Sequence, residues 1–377
     1  MEVEEMVRNK GARFASLVAV GVLAFGALAA CGDDSDGGDD GGSDGGGSAS
    51  EGKVGVILPD ETTSPRWEAN DRPSLQAAFD DAGVESIIDN AGGDVAKFGE
   101  ICDSMINEGV TVLMIVNLDS ESGKACLSKA AEAGVQSIDY DRLTLGGGAS
   151  FYVSFDNVEV GRLMGNGLAA CLEDSGKTEG NIIYINGDPN DNNAALFKSG
   201  YDEVLKPMTQ WKLVGDQSGF WDATKAGDAY EQLYTQNNGK IDGVVSANDT
   251  MAGGIIARMK DNGTAGDVPV TGQDASVEGL QNTLAGYQCG TVYKNTDLEA
   301  QAASELAIAL INGDDPSSMA TGEVEDTETG EMVPSVLATP EWITADTVKT
   351  VIDAGFQSAD DVCVDEFAKA CEKAGIQ

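Results

Sequence analysis

Charged, amide and indole side chains follow the short apolar runs of this 377-residue chain, where they could together bind a polyhydroxylated ligand. The residues that stand out are Arg66, Trp67, Asp141, Arg142, Asn193, Trp221, Asn248, Asp274 and Lys294. An indole can cover the apolar C–H face of a sugar ring. Carboxylates accept hydrogen bonds from hydroxyls, amides both donate and accept hydrogen bonds, and Arg and Lys only donate them. The set can therefore satisfy a ring of neighbouring hydroxyls with charge-assisted hydrogen bonds.

The same residue types say which chemistry is excluded. The chain contains no histidine, so Ser-His-Asp and Cys-His nucleophile systems and imidazole metal sites are excluded. A carboxylate pair, Asp141 with Asp274, would still suit a glycosidase. Binding is the preferred interpretation, because free donors surround both acids in the set. We therefore expect no enzyme activity, no cofactor and no metal ion.

The elements that must position this set alternate between strand and helix. Short runs rich in β-branched residues, such as KVGVIL (53–58) and NIIYIN (181–186), are each followed by a helical stretch. This alternation predicts parallel sheets covered by helices. The pattern restarts near residue 181, and single cores rarely grow beyond about 250–300 residues. The sequence therefore predicts an α/β protein with two Rossmann-like, doubly wound lobes.

Strand ends bring the set together, because open parallel sheets bind ligands beyond the carboxyl ends of their strands. Asp141 directly follows VQSIDY (135–140), for example, and every other member also lies at or after such an end. Asp222 and Asp249 are interpreted as helix N-caps rather than ligand contacts. SFYVSF (150–155) is predicted to be an edge strand.

The first fifty residues predict export. An apolar run from 15 to 30 follows positive residues, is too short to span a membrane and is typical of a signal peptide (1–30). Leu28–Cys31 resembles a bacterial lipobox, which implies that Cys31 is lipidated; the alternative is a secreted protein with a chance cysteine. The Gly-, Asp- and Ser-rich segment 31–52 then predicts a flexible tether. Translation starts at Met1 or, because the acidic residues between them are unusual in such a signal, at Met6.

Six of the seven cysteines follow Cys31, and an even number in an oxidising compartment suggests disulfides. They are Cys102, Cys126, Cys171, Cys289, Cys363 and Cys371. Cys102 and Cys126 lie on consecutive predicted helices, and Cys363 and Cys371 are close in sequence, so we expect these two pairs and a third between Cys171 and Cys289. Six cysteines allow 15 pairings, so other connectivities stay open.

Seven stretches together resemble the bacterial D-xylose-binding proteins, which belong to the sugar-binding periplasmic (type I) substrate-binding family of ABC transporters. They are SPRWEANDRP, YDRL, FYVSFDNVEVG, GDPNDNNAALFKSG, VVSANDTMAGG, VTGQDA and GTVYKN, in order between about residues 53 and 313. The resemblance implies two lobes joined by a three-stranded hinge around a monosaccharide, with all nine residues as sugar contacts. The chain departs from the family in GDQSGFW, one residue shorter before Trp221, and in its longer end after Gly313.

We expect residues 53–157 and 291–325 to form the N-terminal lobe, and 158–290 and 326–377 the C-terminal lobe. The resemblance implies a monomer that delivers D-xylose or a related aldose to an ABC permease and ATPase. The protein would be extracytoplasmic and held to the cell membrane by its lipid alone. A receptor for chemotaxis or a sensor kinase is the alternative. The net charge of −41 excludes nucleic acid as a main partner.

Overall fold

The computed structural model describes residues 52–376, so the expected signal peptide, Cys31 and nearly all of the tether lie outside the described residues. The strands are β1 (Lys53–Leu58), β2 (Glu85–Asn90), β3 (Val112–Ile115), β4 (Gln136–Tyr140), β5 (Phe151–Phe155), β6 (Gly180–Asn186), β7 (Trp211–Ser218), β8 (Gly243–Ser246), β9 (Thr271–Gln273), β10 (Gly290–Tyr293), β11 (Gly322–Asp326), β12 (Glu331–Ala338) and β13 (Glu341–Ile343).

Helices fill most of the connections between these strands. They are α1 (Arg72–Ala82), α2 (Val95–Asn107), α3 (Ser120–Glu132), α4 (Asn157–Asp174), α5 (Asn192–Leu205), α6 (Ala223–Gln236), α7 (Asp249–Asn262), α8 (Val277–Leu284), α9 (Thr296–Asn312), α10 (Val348–Asp353), α11 (Ala359–Val362) and α12 (Ala368–Lys373). A π-helical turn, Trp67–Asp71, leads into α1. Within the described part of the chain, no helix is both long and apolar enough to cross a bilayer.

The first lobe is built on a seven-stranded sheet in the order β11-β12-β5-β4-β3-β1-β2. Only the β11–β12 hairpin pairs antiparallel. Alternation of side chains along β1 covers both faces: Val54 and Val56 pack with α1 and α9, whereas Ile57 packs with α2 and α3. The strands are consequently buried on both sides, as parallel strands under two helical layers must be.

The second lobe continues through two short sheets, β7-β6-β8 and β9-β10-β13. A parallel bridge between Val244 and Val270 joins them, which extends the order to β7-β6-β8-β9-β10-β13. Helices α4 and α5 approach closely because Gly161 and Gly200 carry no side chain; a Cβ on Gly161 would lie 2.0 Å from the Phe197 carbonyl oxygen. This contact fixes α5, which carries part of the site described below.

The chain crosses between the lobes three times, between β5 and α4, between β10 and α9, and between β12 and β13. The predicted two-lobed α/β fold with three crossings is therefore confirmed. The sequence-based boundaries differ from the strand pairing at two places. Strand β12 pairs with β5 in the first lobe, so the third crossing follows Ala338 rather than residue 325. Strand β10 pairs with β9, so 291–293 belong with the second lobe.

Two further expectations about elements need comment. SFYVSF was expected at a sheet edge, but β5 lies between β4 and β12, because a hairpin from much later in the chain covers its free side. All three expected disulfides are confirmed: Cys102–Cys126, Cys171–Cys289 and Cys363–Cys371. The last of these lies in the C-terminal extension, whose apolar residues pack on α8 and β10 in the second lobe.

Candidate ligand-binding site

All nine residues singled out in the sequence line one cavity between the two lobes. The cavity is small, with a volume of about 30 Å³. The first lobe contributes Arg66, Trp67, Asp141 and Arg142. The second lobe, together with the crossing after β10, contributes Asn193, Trp221, Asn248, Asp274 and Lys294. Further lining residues are Thr63, Ser64, Asp191, Phe197 and Gln273.

Three of these residues have an unusual backbone conformation. The φ angles of Asp141, Trp221 and Asp274 are 62°, 58° and 102°, in the region that favours glycine. Each of the three lies just beyond the end of a strand. Strained conformations of this kind cost about 1–3 kcal/mol each and cluster at ligand sites, where the surrounding structure enforces them. The strain therefore marks the two aspartates and Trp221 as held in place for a purpose other than stability.

Arg66 lies at the centre of a fully buried ionic network in the first lobe. Its Nη1 donates to Asp141 Oδ2 at 2.6 Å. Its Nε and Nη2 donate to both carboxylate oxygens of Asp71 at 2.9 and 2.7 Å, and Nη2 also donates to Glu299 Oε2 at 2.6 Å. Tyr140 Oη donates to Asp71 Oδ1 at 2.5 Å. The guanidinium thus uses most of its donors within the protein, and one of them fixes the position of the Asp141 carboxylate.

The pKa values of the three carboxyl groups in this network shift in different directions. Burial raises the pKa of Glu299 well above its usual value, despite the positive charge of Arg66. Burial also raises the pKa of Asp71. For Asp141, burial acts in the same direction, but Arg66, Lys294 and Arg142 outweigh it and lower the pKa. Asp141 is therefore the ionised acceptor of the first lobe.

The other two cations of the cavity are also paired. Arg142 Nε lies 3.0 Å from Asp191 Oδ2, across the gap between the lobes. Lys294 Nζ lies 3.3 Å from Asp274 Oδ1 and 3.8 Å from Asp141 Oδ2. Burial raises the pKa of Asp191, although the charge of Arg142 opposes this. Each positive charge in the cavity consequently has a negative partner supplied by the protein.

Three buried polar atoms of the lining residues have neither a hydrogen-bond nor an ion-pair partner among the described residues. They are Trp67 Nε1, Trp221 Nε1 and Gln273 Oε1. Native proteins satisfy most buried polar groups, so atoms left without a partner in a cavity are available to a bound ligand. The set contains both donors and acceptors, so it suits a ligand that also has both, such as a polyol.

Aromatic rings form two walls of the cavity. Trp67 lies in the first lobe with the Arg66 guanidinium 4.4 Å from its ring centroid. Trp221 lies in the second lobe and meets Phe197 edge-on at 6.2 Å between ring centroids. The Trp221 indole occupies the space above Gly187, where a Cβ would lie 2.0 Å from its Cζ2 atom. Gly187 therefore sets how deep the indole can sit.

Hydrogen bonds join the two lobes at the cavity. They run from Ser64 Oγ to Asp274 Oδ2 at 2.9 Å, from Asn248 Nδ2 to the Thr63 carbonyl at 3.0 Å, and from Asn193 Nδ2 to the Asp141 carbonyl at 3.0 Å. Each bond involves a residue that lines the cavity. The structure thus has the two lobes closed on each other.

The sequence missed part of this lining. Asp191 lies within GDPNDNN but is not among the nine predicted contacts. Its carboxylate also accepts from Asn193 N at the start of α5. Ser64 carries no sequence signal of its own. The Asp222 cap is confirmed, with Lys225 N donating to its carboxylate. The prediction that Asp249 caps a helix is wrong. Asn248 is the N-cap of α7, and the Asp249 carboxylate accepts from Ser276 N instead.

Known proteins resemble this chain closely. Residues 54–315 match the periplasmic binding protein domain family. The chain is 35% identical over 315 residues to the D-xylose-binding periplasmic protein of Escherichia coli K12, spanning 82% of this chain and 92% of that protein. It is 31% identical over 335 residues to the multiple sugar-binding periplasmic receptor ChvE of Rhizobium radiobacter, spanning 83% and 92%. A carbohydrate transporter solute binding protein from Chloroflexus aurantiacus, solved with D-glucose, superposes with a TM-score of 0.75 at 28% identity, covering 82% of this chain and 97% of that one.

Proposed function

Because the chain belongs to the family of periplasmic binding proteins, we propose that it captures a monosaccharide between its lobes and delivers it to an ABC importer. D-Xylose is the sugar we expect it to bind. The nine residues predicted from the sequence are the proposed sugar contacts, with Asp141 and Asp274 as the main acceptors. No catalytic step is needed for this role, and the relatives named above are binding proteins.

The observation that carries the proposal is the pairing of charge in the cavity. Arg66, Arg142 and Lys294 each have a carboxylate partner within 3.3 Å. An anionic ligand would add an unpaired buried charge, which is costly. A neutral polyol adds none, and its hydroxyls can pair with the unsatisfied donors and acceptors between the two indoles. Neutral sugars are therefore favoured over sugar acids and sugar phosphates.

D-Xylose and D-glucose present the same hydroxyl configuration at their shared ring carbons, and differ by one hydroxymethyl group. A size difference of about one methylene is worth roughly 1–3 kcal/mol in a hydrophobic pocket, whereas an unpaired buried polar group is penalised more strongly. We therefore expect strong selection on hydroxyl configuration, as against arabinose, and weaker selection against glucose.

A carboxylate-pair glycosidase fits the site poorly. Such an enzyme needs one carboxylic acid with a raised pKa to protonate the leaving group. The pKa of Asp141 is instead lowered, because Arg66, Lys294 and Arg142 together outweigh the effect of its burial. Asp141 is thus unsuited to the acid role. Asp274, the other carboxylate of the pair, already accepts from Ser64 Oγ and pairs with Lys294, so neither carboxylate is free to protonate a leaving group.

The second candidate role is sensory. The resemblance to ChvE, whose name describes a receptor, favours it specifically. Sugar capture and lobe closure would be the same, and only the membrane partner would differ. In either role we propose that the protein is exported and attached to the outer face of the cell membrane through lipid on Cys31.

Titration calorimetry against pentoses and hexoses tests the proposal. We expect saturable 1:1 binding of D-xylose, weaker binding of D-glucose and still weaker binding of L-arabinose. A thermal-shift assay provides an independent check, because a ligand at 100 times its Kd stabilises the folded protein by about 2.7 kcal/mol. Tight binding of arabinose without xylose would overturn the choice of sugar. Absence of binding to every neutral aldose would overturn the function. Loss of labelled xylose uptake in a strain lacking the protein would then separate transport from sensing.

A further inference from the structure

Two buried carboxylates lie close to the cavity without lining it. Asp139 is in β4, two residues before Asp141, and Asp249 is in the first turn of α7. Their relative exposures are 0% and 1%. Neither has a cation as a hydrogen-bond or ion-pair partner among the described residues. Something other than charge pairing must therefore account for their burial.

Asp139 holds the loop that follows the site residues of the first lobe. Its Oδ2 accepts from the main-chain N–H of Thr144 at 2.7 Å, and its Oδ1 accepts from the Thr144 hydroxyl at 2.7 Å. The same hydroxyl accepts from Asn117 Nδ2 at 2.9 Å. Thr144 comes three residues after Asp141. Its double attachment fixes the loop immediately beyond Asp141 and Arg142.

Asp249 does the same in the second lobe. Its Oδ2 accepts from the main-chain N–H and the hydroxyl of Ser276 at 2.9 and 3.2 Å. Its Oδ1 accepts from Gln288 Nε2 at 2.7 Å and Thr291 Oγ1 at 2.8 Å. Ser276 comes two residues after Asp274, and both Asp274 and the intervening Ala275 have positive φ. The turn formed by Asp274 and Ala275 is thus anchored through Ser276, the residue that follows it.

The two lobes use the same arrangement at unrelated positions of the chain. In each, a strand-end aspartate of the cavity has positive φ, and a hydroxyl residue two or three positions later gives both its N–H and its O–H to one buried carboxylate. Burying a carboxylate without a cation is unfavourable for stability. Burial indeed raises the pKa of each to about 7, against the hydrogen bonds they accept. Unfavourable burial of a carboxylate at equivalent positions in both lobes indicates that Asp139 and Asp249 have the same role.

We propose that Asp139 and Asp249 are positioning residues for sugar binding, which hold Asp141 and Asp274 in the strained conformations that their contacts with the ligand require. Neither carboxylate touches the ligand. The proposal rests on the proposed sugar-binding function and adds to it two residues outside the cavity.

The test compares sugar affinity with stability in matched variants. Asp139→Asn and Asp249→Asn keep side-chain shape but place an amide donor against donors, so each should raise the Kd for D-xylose roughly tenfold or more. Asp242→Asn is the control, because Asp242 accepts from a main-chain N–H, that of Asn181, at the opposite end of the second-lobe sheet. It should lower the melting temperature and leave the Kd unchanged.

Variants on the loop side keep the proposal testable if an Asn variant fails to fold. Thr144→Val removes the hydroxyl and should weaken binding, whereas Thr144→Ser retains it and should bind close to wild type. If Asp139→Asn, Asp249→Asn and Thr144→Val lower only the melting temperature, as Asp242→Asn does, the two carboxylates are merely structural and the proposal is wrong. A wild-type protein that binds no sugar would instead refute the proposed function.

Discussion

Replacing Gly187 with alanine tests whether the depth of the Trp221 indole controls sugar affinity. Gly187 follows β6 without positive φ, so alanine is compatible with its backbone. The obstacle is contact: the added Cβ would lie 2.0 Å from Cζ2 and 2.1 Å from Cη2 of Trp221. Ordinary contacts of a Cβ begin at about 3.4 Å, so the ring must move by more than 1 Å.

The indole has little freedom to make that movement. Trp221 is 6% exposed, packs edge-on against Phe197, and follows Phe220 in a pair of residues with positive φ. Overpacking of this kind costs about 1–3 kcal/mol. An indole pushed toward the cavity would also occupy space for the sugar. We therefore expect Gly187→Ala to lower stability by about 1–3 kcal/mol and to raise the Kd for D-xylose by roughly tenfold to hundredfold.

Calorimetry and urea unfolding of Gly187→Ala should be compared with those of Gly99→Ala. Gly99 lies inside α2, and a Cβ there meets nothing within 4 Å. Alanine at that position should stabilise the protein by about 0.5–1 kcal/mol, because glycine weakens a helix interior, and should leave affinity unchanged. An unaltered Kd in Gly187→Ala, with Gly99→Ala behaving as expected, would refute the reasoning about Trp221.

Four other outcomes are expected. Asp274→Ala should weaken sugar binding roughly hundredfold or more by calorimetry, because it leaves the Lys294 ammonium without its nearest carboxylate; unchanged affinity would contradict this. The radius of gyration from small-angle scattering should fall when sugar is added, since ligand contacts are divided between the lobes; equal values at saturation count against closure. Burial raises the pKa of Asp249 to about 7, so between about pH 4 and pH 7 the folded state holds a proton that the unfolded state has lost. The free energy of unfolding should therefore fall as pH rises through this range, with Asp249 contributing up to about 4 kcal/mol. Asp249→Asn should flatten that dependence in urea titrations, and parallel curves would show that Asp249 does not titrate there. Finally, Cys31→Ser should move the protein from the membrane fraction to the soluble fraction, and unchanged fractionation would refute lipid attachment.

The nine cavity residues could be found from the sequence because the fold imposes a simple rule on them. In an open parallel sheet the carboxyl ends of all strands share one edge, so residues far apart in the chain must meet there. Asp141 and Asp274 are 133 positions apart, yet Lys294 lies within 3.8 Å of both carboxylates. The two predicted lobes follow from an equally local pattern, the alternation of elements. Element order and spacing pair Cys102 with Cys126 and Cys363 with Cys371, which leaves Cys171 and Cys289, 118 positions apart, as the third pair.

What the sequence could not supply depends on tertiary partners. Asn248 and Asp249 are both good N-cap residues, and Asn248 takes the cap because Asp249 is engaged by Ser276, Gln288 and Thr291 from other elements. β5 was expected at an edge, since nothing nearby in the sequence reveals that β12 will pair with it. Ser64 has no distinctive local pattern, and only lobe closure brings it to Asp274.

Closure links the contacts between the lobes to the affinity for sugar. The bonds across the cavity, such as those from Ser64 to Asp274 and from Asn248 to the Thr63 carbonyl, exist only when the lobes meet. Any free energy they contribute stabilises the closed state before the ligand is counted. The apparent affinity for a ligand that needs the closed state scales with the population of that state. Residues that never touch the sugar can therefore set how tightly it is held, whereas selectivity among sugars depends on the residues that line the cavity.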